Sequence, residues 1–379
     1  MEAENLVKRP KILAVSEVTE GGVGRHLKDL LSNITNFDVV FAAPKPLNVH
    51  CEFVKIDLKR TPKLFIKGTL QILRLIHRIK PDVVHLHSSI AGAAGRLCRA
   101  LMNSRIPVVY TPNGLAFTYE ENHLKRRVFK EAERYLSCLC DAIIAVSQAE
   151  RKTMRRLGIP PHKVVLIHNA IPLPNEITEE RRLNARRSLR LPEEATVVGA
   201  VGRLAHPKLP LDFVKAIAYL VPRFRHLRGI WVGDGELFDE TVSYAERIGI
   251  DKHILITGWR TDALDLLHAL DIFVLVSCAE GMPYSLLEAA GTGLPCVATD
   301  VAGVRDVIRD GVEGFVVPPR DPRALAEKIL ILIEDHNLRR RMGQAARQRV
   351  AKHFSLEQMV QKTQQLYLRL LRQRPAPSP

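Results

Sequence analysis

The sequence has few aromatic residues for a chain so rich in basic ones. Phe, Trp and Tyr make up 6% of its 379 residues, whereas Lys and Arg outnumber Asp and Glu by 56 to 41. Proteins that bind nucleic acid through a basic surface usually interleave basic side chains with stacking aromatic rings or carry a recognisable binding motif. The sequence contains no helix-turn-helix, zinc-finger or aromatic RNA-binding motif, so we expect no nucleic-acid partner.

Cysteine and long apolar runs are also scarce. The six cysteines are scattered, and Cys138 and Cys140 are too close for the usual C-x2-C spacing of a metal site. We therefore expect reduced, mostly buried thiols and a cytoplasmic protein.

No segment approaches the roughly 18 uninterrupted apolar residues of a membrane-spanning helix. The polar and charged opening Met1–Pro10 predicts that no secretory signal is present.

Closely spaced aspartates of the D-x-D type are missing as well. Such carboxylates are the ligands that Mg²⁺ and Mn²⁺ usually take from a protein. We therefore expect neither a metal site nor a bound cofactor.

What the sequence does contain is a regular alternation of predicted strands and helices, which is typical of parallel α/β sheets. A chain of 379 residues is long enough for two domains of about 180 residues each. The polar, proline-interrupted segment 172–176 predicts a hinge. We place one domain at residues 1–172 and a second at 173–355, followed by a last helix and a Pro-rich tail over 356–379.

The segment Glu280–Glu288 follows the apolar run Asp271–Val276 and leads into a small-residue helix. A buried strand, a tight loop and a helix start in this order form the ligand-binding edge of an open α/β sheet. The free N–H groups and the positive dipole end of such a helix favour a phosphate. The sequence therefore predicts a phosphate-binding loop flanked by two carboxylates.

The spacing of these two carboxylates argues against a paired acid and base. Eight residues of helix rise by roughly 12 Å, whereas the paired carboxyl groups of glycosidases lie roughly 5 to 9.5 Å apart. Glu280 and Glu288 are better suited to contact different parts of one extended ligand. The alternative is a loop glutamate and a solvated helix glutamate without a shared role.

The net charge of +15 is concentrated in the first domain, where residues 1–172 carry +12 of it. The densest basic element is residues 59–80, in which basic and apolar side chains recur at helical spacing. Such a helix could lie on an anionic membrane surface, where each basic side chain contributes about 1 kcal/mol. Alternatively, it packs on the sheet and leaves a solvated basic edge.

The sequence also suggests a second enzyme class, the dehydrogenases, because Gly21–Gly24 follows the first predicted strand. The run is not G-x-G-x-x-G, since Leu27 occupies the position of the third glycine. The acidic residue expected at the end of the second strand is also missing, because Val39–Ala43 runs into Pro44. The glycines indicate a tight turn or a close backbone approach to a phosphate.

Together, the E-x7-E spacing from Glu280 to Glu288, the strand 293–300 and the loop 301–308 resemble the donor-binding signature of retaining glycosyltransferases of family 4, which have the GT-B fold. The resemblance extends over most of the chain. The further matching segments are Val201–Leu204 with Lys208, Gly233–Gly235, Gly21–Gly24, His85–His87 and Ser147. It implies two Rossmann-like domains with parallel sheets facing across a cleft, and a last helix that crosses back to the first domain.

In the second domain, the resemblance implies that Glu288 binds the ribose hydroxyls of a nucleotide-sugar donor. Glu280 and the backbone N–H groups of Gly281 and Met282 would hold the transferred sugar. The reaction in this family proceeds with retention at the anomeric carbon. In the scheme usually proposed for it, the acceptor hydroxyl attacks from the face that the phosphate leaves, and a phosphate oxygen takes its proton.

The donor diphosphate would be held by charge and by backbone amides. By resemblance, Arg203 and Lys208 neutralise it, one as a bidentate fork and the other as a mobile point charge. Ser285 and Leu286 would offer their amides to the same phosphates, and Gly22 would allow the first domain to approach them. Because these groups carry the charge, the resemblance implies a metal-independent transferase.

One position departs from the family pattern. Many relatives have histidine within a T-x-H-G-like strand end that faces the sugar, whereas this chain has Asn113 within Tyr110–Gly114. An amide donates and accepts hydrogen bonds but does not titrate near neutral pH. We assign Asn113 to contact with the sugar or the acceptor. His87 and His123 are candidate substitutes for the missing histidine, although a histidine at a strand end also has structural roles.

The function implied is transfer of a sugar from a UDP- or GDP-sugar to a glycan or lipid-linked acceptor during assembly of a cell-surface polysaccharide or glycolipid. The acceptor would bind the basic first domain at the inner face of the cell membrane. A nucleotide-sugar epimerase of the same fold is an alternative, as is a non-catalytic module that binds a nucleotide sugar or a membrane. The base stays open, because base contacts in this fold are largely made by backbone near Trp259 and Arg260.

Overall fold

The computed structural model describes residues 9–102 and 106–373. The Pro-rich tail predicted from Pro375 and most of the opening segment Met1–Pro10 lie outside these ranges. The chain divides into two compact units. The first unit comprises residues 1–170 together with 356–379, and the second comprises residues 171–355.

Each unit contains one parallel sheet, which confirms the predicted parallel α/β class. The strands in the described residues are β1 (Lys11–Ser16), β2 (Asp38–Ala43), β3 (Glu52–Lys55), β4 (Val83–His87), β5 (Val108–Thr111), β6 (Ala142–Ala145), β7 (Val164–Leu166), β8 (Thr196–Val201), β9 (Leu227–Val232), β10 (Ile254–Ile256), β11 (Ile272–Leu275), β12 (Cys296–Thr299) and β13 (Gly314–Val317).

Helices connect the strands. Those in the described residues are α1 (Gly21–Leu31), α2 (Pro62–Ile79), α3 (Ser89–Leu101), α4 (His123–Leu136), α5 (Gln148–Arg156), α6 (Glu179–Ser188), α7 (Pro210–Leu220), α8 (Phe238–Arg247), α9 (Ala263–Leu266), α10 (Tyr284–Thr292), α11 (Val304–Val307), α12 (Pro322–Glu334), α13 (His336–His353) and α14 (Leu356–Arg372).

The sheet of the first unit has the strand order β3-β2-β1-β4-β5-β6-β7. Its central strands are buried on both faces, because helices cover both sides. One face packs against α2, α3 and α5 in a core that includes Ile72, Cys98 and Met154. The opposite face packs against α1 and α14.

Helix α14 is tied to the first unit by Tyr367. The Tyr367 hydroxyl lies 2.5 Å from Nδ1 of His85 on β4, and its ring packs edge-on against Phe37 at 5.4 Å. Burial raises the pKa of the Tyr367 hydroxyl above its ordinary value, so the group stays protonated. An aromatic anchor with a satisfied polar tip fixes both the position and the rotation of the helix.

The sheet of the second unit has the order β10-β9-β8-β11-β12-β13. A buried carboxylate joins its two central strands to α6. Asp271, just before β11, accepts hydrogen bonds from Arg186 at 2.9 Å, from Arg182 at 2.8 Å and from the backbone N–H of Val197 at 2.7 Å. A buried charge is tolerated where its hydrogen bonds are satisfied in this way. The network fixes β8 beside β11, where the loops of the candidate site begin.

No helix in the described ranges combines the length and the apolar character required to cross a bilayer.

Candidate functional site

The second unit has its topological switch point between β8 and β11. The chain leaves β8 toward β9 on one side and returns to β11 on the other, so the loops that follow β8 and β11 diverge. Open α/β sheets bind ligands in the crevice formed at such a point. The loop after β8 carries Arg203 and Lys208, and the loop after β11 carries Glu280.

A short ion pair joins these two loops. Nζ of Lys208 lies 2.5 Å from Oε1 of Glu280, and the Ser277 hydroxyl donates to the same oxygen at 2.7 Å. The side chains of Lys208 and Glu280 are only 16% and 14% exposed. Limited exposure reduces screening by water and salt, so this charge pair is stronger than one on an open surface. Glu280 is thereby oriented by two donors.

The backbone fixes the geometry of this pair. Lys208 and Ser277 form an antiparallel bridge, and the N–H of Cys278 donates to the carbonyl of Pro207 at 3.0 Å. Ser277 is held in turn by Thr299, whose hydroxyl accepts from the Ser277 N–H at 3.0 Å and donates to the Ser277 carbonyl at 2.8 Å. The two loops are therefore preorganised around the carboxylate.

The N-terminus of α10 opens beside this carboxylate. Pro283 occupies the N-cap position, and no described side chain caps the helix. The N–H groups of the first turn, which includes Ser285 and Leu286, have no acceptor within the helix. Gly303 packs closely against the loop that precedes α10, since a Cβ there would lie 2.6 Å from the carbonyl oxygen of Gly281. This arrangement suits an anion that accepts hydrogen bonds from backbone amides.

Arg203 and Glu288, the other two charged residues predicted for the donor, differ in exposure. Arg203 is exposed directly after β8 and has no ion-pair partner in the described part of the chain. Glu288 lies in the second turn of α10 and is partly buried, and its carbonyl accepts from the Thr292 hydroxyl at 2.7 Å. Met282 is buried in the loop between them. The second unit thus brings Lys208 and Glu280 together and leaves Arg203 able to meet a ligand.

In the first unit, the corresponding switch point lies between β1 and β4. Gly22 is exposed in the first turn of α1, which has no side-chain cap. A Cβ at Gly24 would lie 2.2 Å from the carbonyl oxygen of Thr19, so a glycine is required for this tight entry into the helix. The Glu17 carboxylate accepts from the N–H groups of Ile90 and Ala91 at 3.0 and 2.9 Å, and so occupies the N-terminus of α3.

A pocket of about 230 Å³ lies at the carboxyl ends of β4 and β5. Its lining combines hydroxyl groups, an amide, a guanidinium and aromatic rings. The lining residues are Arg60, Ser88, Ser89, Pro112, Asn113, Gly114, Ala116, Tyr119, Glu120 and Phe129. Mixed polar and aromatic linings of this kind suit a polyhydroxylated ligand.

Asn113 is the most unusual residue of this lining. Its backbone has a φ of +54°, a left-handed conformation that asparagine adopts more readily than most residues. Its Oδ1 and Nδ2 atoms are buried, and neither has a hydrogen-bond partner among the described residues. An unsatisfied buried amide costs free energy that a ligand with hydroxyl groups can recover. This is the position where the sequence predicted sugar or acceptor contact.

His87 occupies a different environment. It is fully buried at the end of β4 and is not part of the pocket lining. Its ring stacks 3.9 Å from that of His85 and lies 5.5 Å from that of His26. Burial and the neighbouring rings hold the pKa of His87 well below its ordinary value, so the imidazole is neutral. Direct contact between His87 and an acceptor therefore stays a prediction.

Several residues around these sites were not found from the sequence. Ser277 orients Glu280, and Arg60 and Tyr119 line the pocket, yet none of the three belongs to a motif. The available signals were weak: Ser277 directly follows the apolar run before Glu280, and Arg60 lies in the basic segment 59–80.

Two family models match the chain. The model described as Glycosyltransferase Family 4 matches residues 20–174, and the model described as Glycosyl transferases group 1 matches residues 181–349. Together they cover both units, and the second includes all the candidate residues from Arg203 to Glu288.

The chain is also similar to individual glycosyltransferases over most of its length. The chain is 28% identical to the UDP-Gal:alpha-D-GlcNAc-diphosphoundecaprenol alpha-1,3-galactosyltransferase of Escherichia coli, with 80% of this chain and 79% of that protein covered. It is 26% identical to the putative glycosyltransferase EpsD of Bacillus subtilis, with 83% and 84% covered. The fold is similar to that of HepE from Anabaena in complex with UDP-glucose, with a TM-score of 0.81, 20% identity, and 95% and 99% of the two chains covered.

Proposed function

The chain is a glycosyltransferase of family 4 with the GT-B fold, and from that premise we propose that it is a retaining enzyme that moves a sugar from a nucleotide-diphosphate sugar to a glycan or lipid-linked acceptor. The transfer would serve the biosynthesis of a polysaccharide or glycolipid. The observation that carries the proposal is the Lys208–Glu280 pair at the switch point, next to an α10 N-terminus that lacks a side-chain cap.

The donor binds to the second unit in this proposal. The phosphates accept from the amides of Ser285 and Leu286 at the start of α10. Glu288, in the second turn of that helix, accepts hydrogen bonds from the ribose hydroxyls. Glu280 and the amides of Gly281 and Met282 hold the sugar, while Pro283 has no N–H and contributes only shape.

Arg203 and Lys208 stabilise the leaving group. The bond between the anomeric carbon and the phosphate oxygen breaks, a bond to the acceptor oxygen forms on the same face, and the acceptor proton passes to a phosphate oxygen. Negative charge on the diphosphate grows during this step. Each fixed cation beside it lowers the barrier by roughly 3 to 4 kcal/mol, and in this proposal the two cations do so without a metal ion.

The ion pair with Glu280 already orients the ammonium group of Lys208. A diphosphate brings a second anionic partner to the same ammonium group, so Lys208 can bridge the phosphate and the sugar-binding carboxylate. This arrangement links the position of the leaving group to that of the sugar.

The acceptor binds to the first unit, in the pocket lined by Asn113 and Arg60. The Escherichia coli relative acts, by its name, on a diphosphoundecaprenol-linked sugar. We extend a lipid-linked acceptor of this kind to the present chain. It places the enzyme at the inner face of the cell membrane, with residues 59–80 in contact with anionic lipid.

The first experiment is a calorimetric titration of the purified protein with UDP, GDP and ADP in EDTA, followed by a screen of the matching sugar donors. We expect one nucleotide to bind without metal and its sugar to be transferred with the anomeric configuration retained, as read by NMR of the product. Conversion of the donor to its epimer without an acceptor would indicate an epimerase. Binding of a donor without any reaction would indicate a non-catalytic module.

A further inference from the structure

The first unit exposes large apolar side chains on one face only. All those exposed in its described residues lie on α2, α3 and α4, which follow one another on the same side of the sheet, and none lies on α1 or α14. These residues are Ile66, Leu70, Leu97, Leu101, Leu124, Val128 and Tyr135. Single exposed apolar residues are ordinary, whereas a cluster confined to one face indicates a binding surface.

Helix α4 is the most exposed of these three helices. It has no buried residue over its 14 positions, whereas α2 and α3 each have several. Leu124, Val128 and Tyr135 are 73%, 56% and 66% exposed. Their spacing places all three on one side of the helix, since positions four and eleven residues apart align within about 40° in a helix of 3.6 residues per turn. Apart from Glu131, which the same spacing places beside them, these side chains form an apolar stripe, and a stripe of this kind normally faces a core.

The opposite side of α4 explains why this stripe faces outward. Arg96 of α3 is buried and donates to both carboxylate oxygens of Glu133 at 2.8 and 3.2 Å. Its guanidinium also lies 4.0 Å from the centre of the Tyr110 ring. Lys130 lies over the Phe117 ring at 5.8 Å. Directional polar contacts thus attach the helix through its charged side, so its apolar stripe is held away from the sheet.

The same face is strongly basic. Residues 59–80 contain seven Lys and Arg residues and no Asp or Glu, and residues 123–136 contain five against two. Lys125 and Arg127 are exposed near the start of α4, on either side of the stripe that holds Leu124 and Val128. Lys59 and Lys63 are exposed at the start of α2, before Ile66 and Leu70.

The segment just before α2 contacts the middle of α4, and both border the acceptor pocket. The guanidinium of Arg60 lies 5.7 Å from the centre of the Phe129 ring of α4. Both residues line the pocket. A surface on which these two helices rest would therefore be close to the opening of the pocket.

We propose that α4 is an apolar anchor that inserts into an anionic lipid bilayer, with the basic residues at the starts of both helices on the headgroups. We call this surface the α2–α4 face. It consists of Ile66, Leu70, Leu124 and Val128 together with Lys59, Lys63, Lys125 and Arg127. The inference deepens the membrane contact proposed for residues 59–80, on which it rests, by assigning the inserted side chains to a second helix.

Charge complementarity selects the bilayer over a second copy of the chain. Two copies joined through this face would bring two strongly basic surfaces together, which is unfavourable. Anionic headgroups supply the opposite charge, and the acyl region beneath them accepts the apolar side chains. Contact with the bilayer would also deliver a lipid-linked acceptor to the pocket from the membrane side.

The test is flotation of the full chain with vesicles of phosphatidylcholine that contain 30% phosphatidylglycerol, and with phosphatidylcholine alone. We expect binding to the anionic vesicles only, and at least tenfold weaker partitioning for the double variant Leu124→Asp/Val128→Asp. The matched control is Ile248→Asp/Leu264→Asp, which changes two exposed aliphatic residues of the second unit and should bind as the unchanged chain does. Circular dichroism and urea unfolding, measured in parallel, verify that each variant is folded, and nucleotide affinity verifies that the donor site of the second unit is unchanged.

Three results would overturn the inference. Full vesicle binding by the α4 double variant, combined with loss of binding in Lys59→Glu/Lys63→Glu, would leave the contact of residues 59–80 standing without an anchor on α4. No binding of the unchanged chain to anionic vesicles would overturn both. A lipid-free dimer that Leu124→Asp/Val128→Asp converts to a monomer would identify the face as a subunit interface. None of these results affects nucleotide binding, so each is distinguishable from failure of the transferase assignment.

Discussion

The ammonium group of Lys208 lies 2.5 Å from the carboxylate of Glu280, although 72 residues separate them in the sequence. The pair closes the loop after β8 onto the loop after β11 and is supported by the hydroxyl of Ser277. It couples the residue proposed to stabilise the leaving diphosphate to the residue proposed to hold the sugar. A change at either member is therefore expected to act on turnover.

Replacing Lys208 tests the proposed role in leaving-group stabilisation. Lys208→Ala should lower kcat about 100- to 1,000-fold, the usual effect of removing one preorganised group beside a developing anion. Lys208→Arg should retain more of the activity, because it keeps the charge. Lys215→Ala on α7, which removes an exposed lysine with a nearby aspartate, is the matched control. Equal activity of the Lys208→Ala enzyme and this control would exclude the role.

Replacing the two glutamates separately distinguishes their roles. Glu288→Ala should weaken nucleotide binding by about 1 to 3 kcal/mol, the usual cost of losing a charged hydrogen-bond partner. Glu280→Ala should leave the affinity for the free nucleotide unchanged and lower kcat. Calorimetry with the nucleotide and steady-state kinetics measure the two effects, with the exposed Glu327→Ala as control. If neither change affects binding or turnover, the assignment is wrong.

Asn113 can be tested without disturbing the backbone, because glycine accepts its φ of +54° at no steric cost. Asn113→Gly should therefore fold normally while removing the unpartnered amide from the pocket. We expect kcat/KM for the acceptor to fall about 10- to 100-fold, equivalent to about 1 to 3 kcal/mol, with the donor affinity unchanged. Asn113→Ala should in addition lower the free energy of unfolding by about 1 to 2 kcal/mol, because its Cβ is strained in this conformation. An Asn113→Gly enzyme with unchanged acceptor kinetics would remove the amide from the acceptor site.

The buried cluster of His26, His85 and His87 should make stability depend on pH. Burial lowers the pKa of His26 to about 4 and holds those of His85 and His87 well below the ordinary value. In the unfolded chain the three rings gain protons near pH 6.5, so the unfolded state binds protons first as the pH falls. The stabilisation is complete above that pH and is lost as the pH falls toward 4, by up to about 1.4 kcal/mol per pH unit for each ring.

Urea unfolding at pH 7.5, 6 and 5 measures this dependence. His87→Leu should reduce the slope of the free energy of unfolding against pH by about one proton, whatever its effect on absolute stability. His162→Leu, at an exposed position, is the control. An unchanged slope in the His87→Leu protein would show that this ring is already charged in the folded state.

Much of the fold could be read from local patterns. The second strand, predicted at Val39–Ala43, lies at Asp38–Ala43 in the structure, because alternation of buried runs and turn residues is a local property of the chain. The family resemblance and the parallel α/β class are confirmed for the same reason: their signals are short motifs at strand ends. The loop Glu280–Pro283 followed by a helix at Tyr284 is likewise a local feature.

The pairing of particular side chains depends instead on how distant segments pack. Lys208 reaches Glu280 only because the loops after β8 and β11 meet, and Asn113 is unpartnered only because of the fold around the pocket. The contact between His85 and Tyr367 joins residues 282 positions apart. The outward direction of the apolar stripe on α4 is set by the pair of Arg96 and Glu133 across two helices.

The sequence by itself therefore determined the family, the two parallel sheets and the residue types of the loop from Glu280 to Pro283, because each of these is encoded in residues close together along the chain. Only the tertiary structure decided which cation meets which carboxylate, which histidines are buried, and which apolar side chains of the first unit remain exposed. These outcomes depend on burial and on distances between segments far apart in the sequence, and they exist only once the sheets have formed and the helices have packed on them.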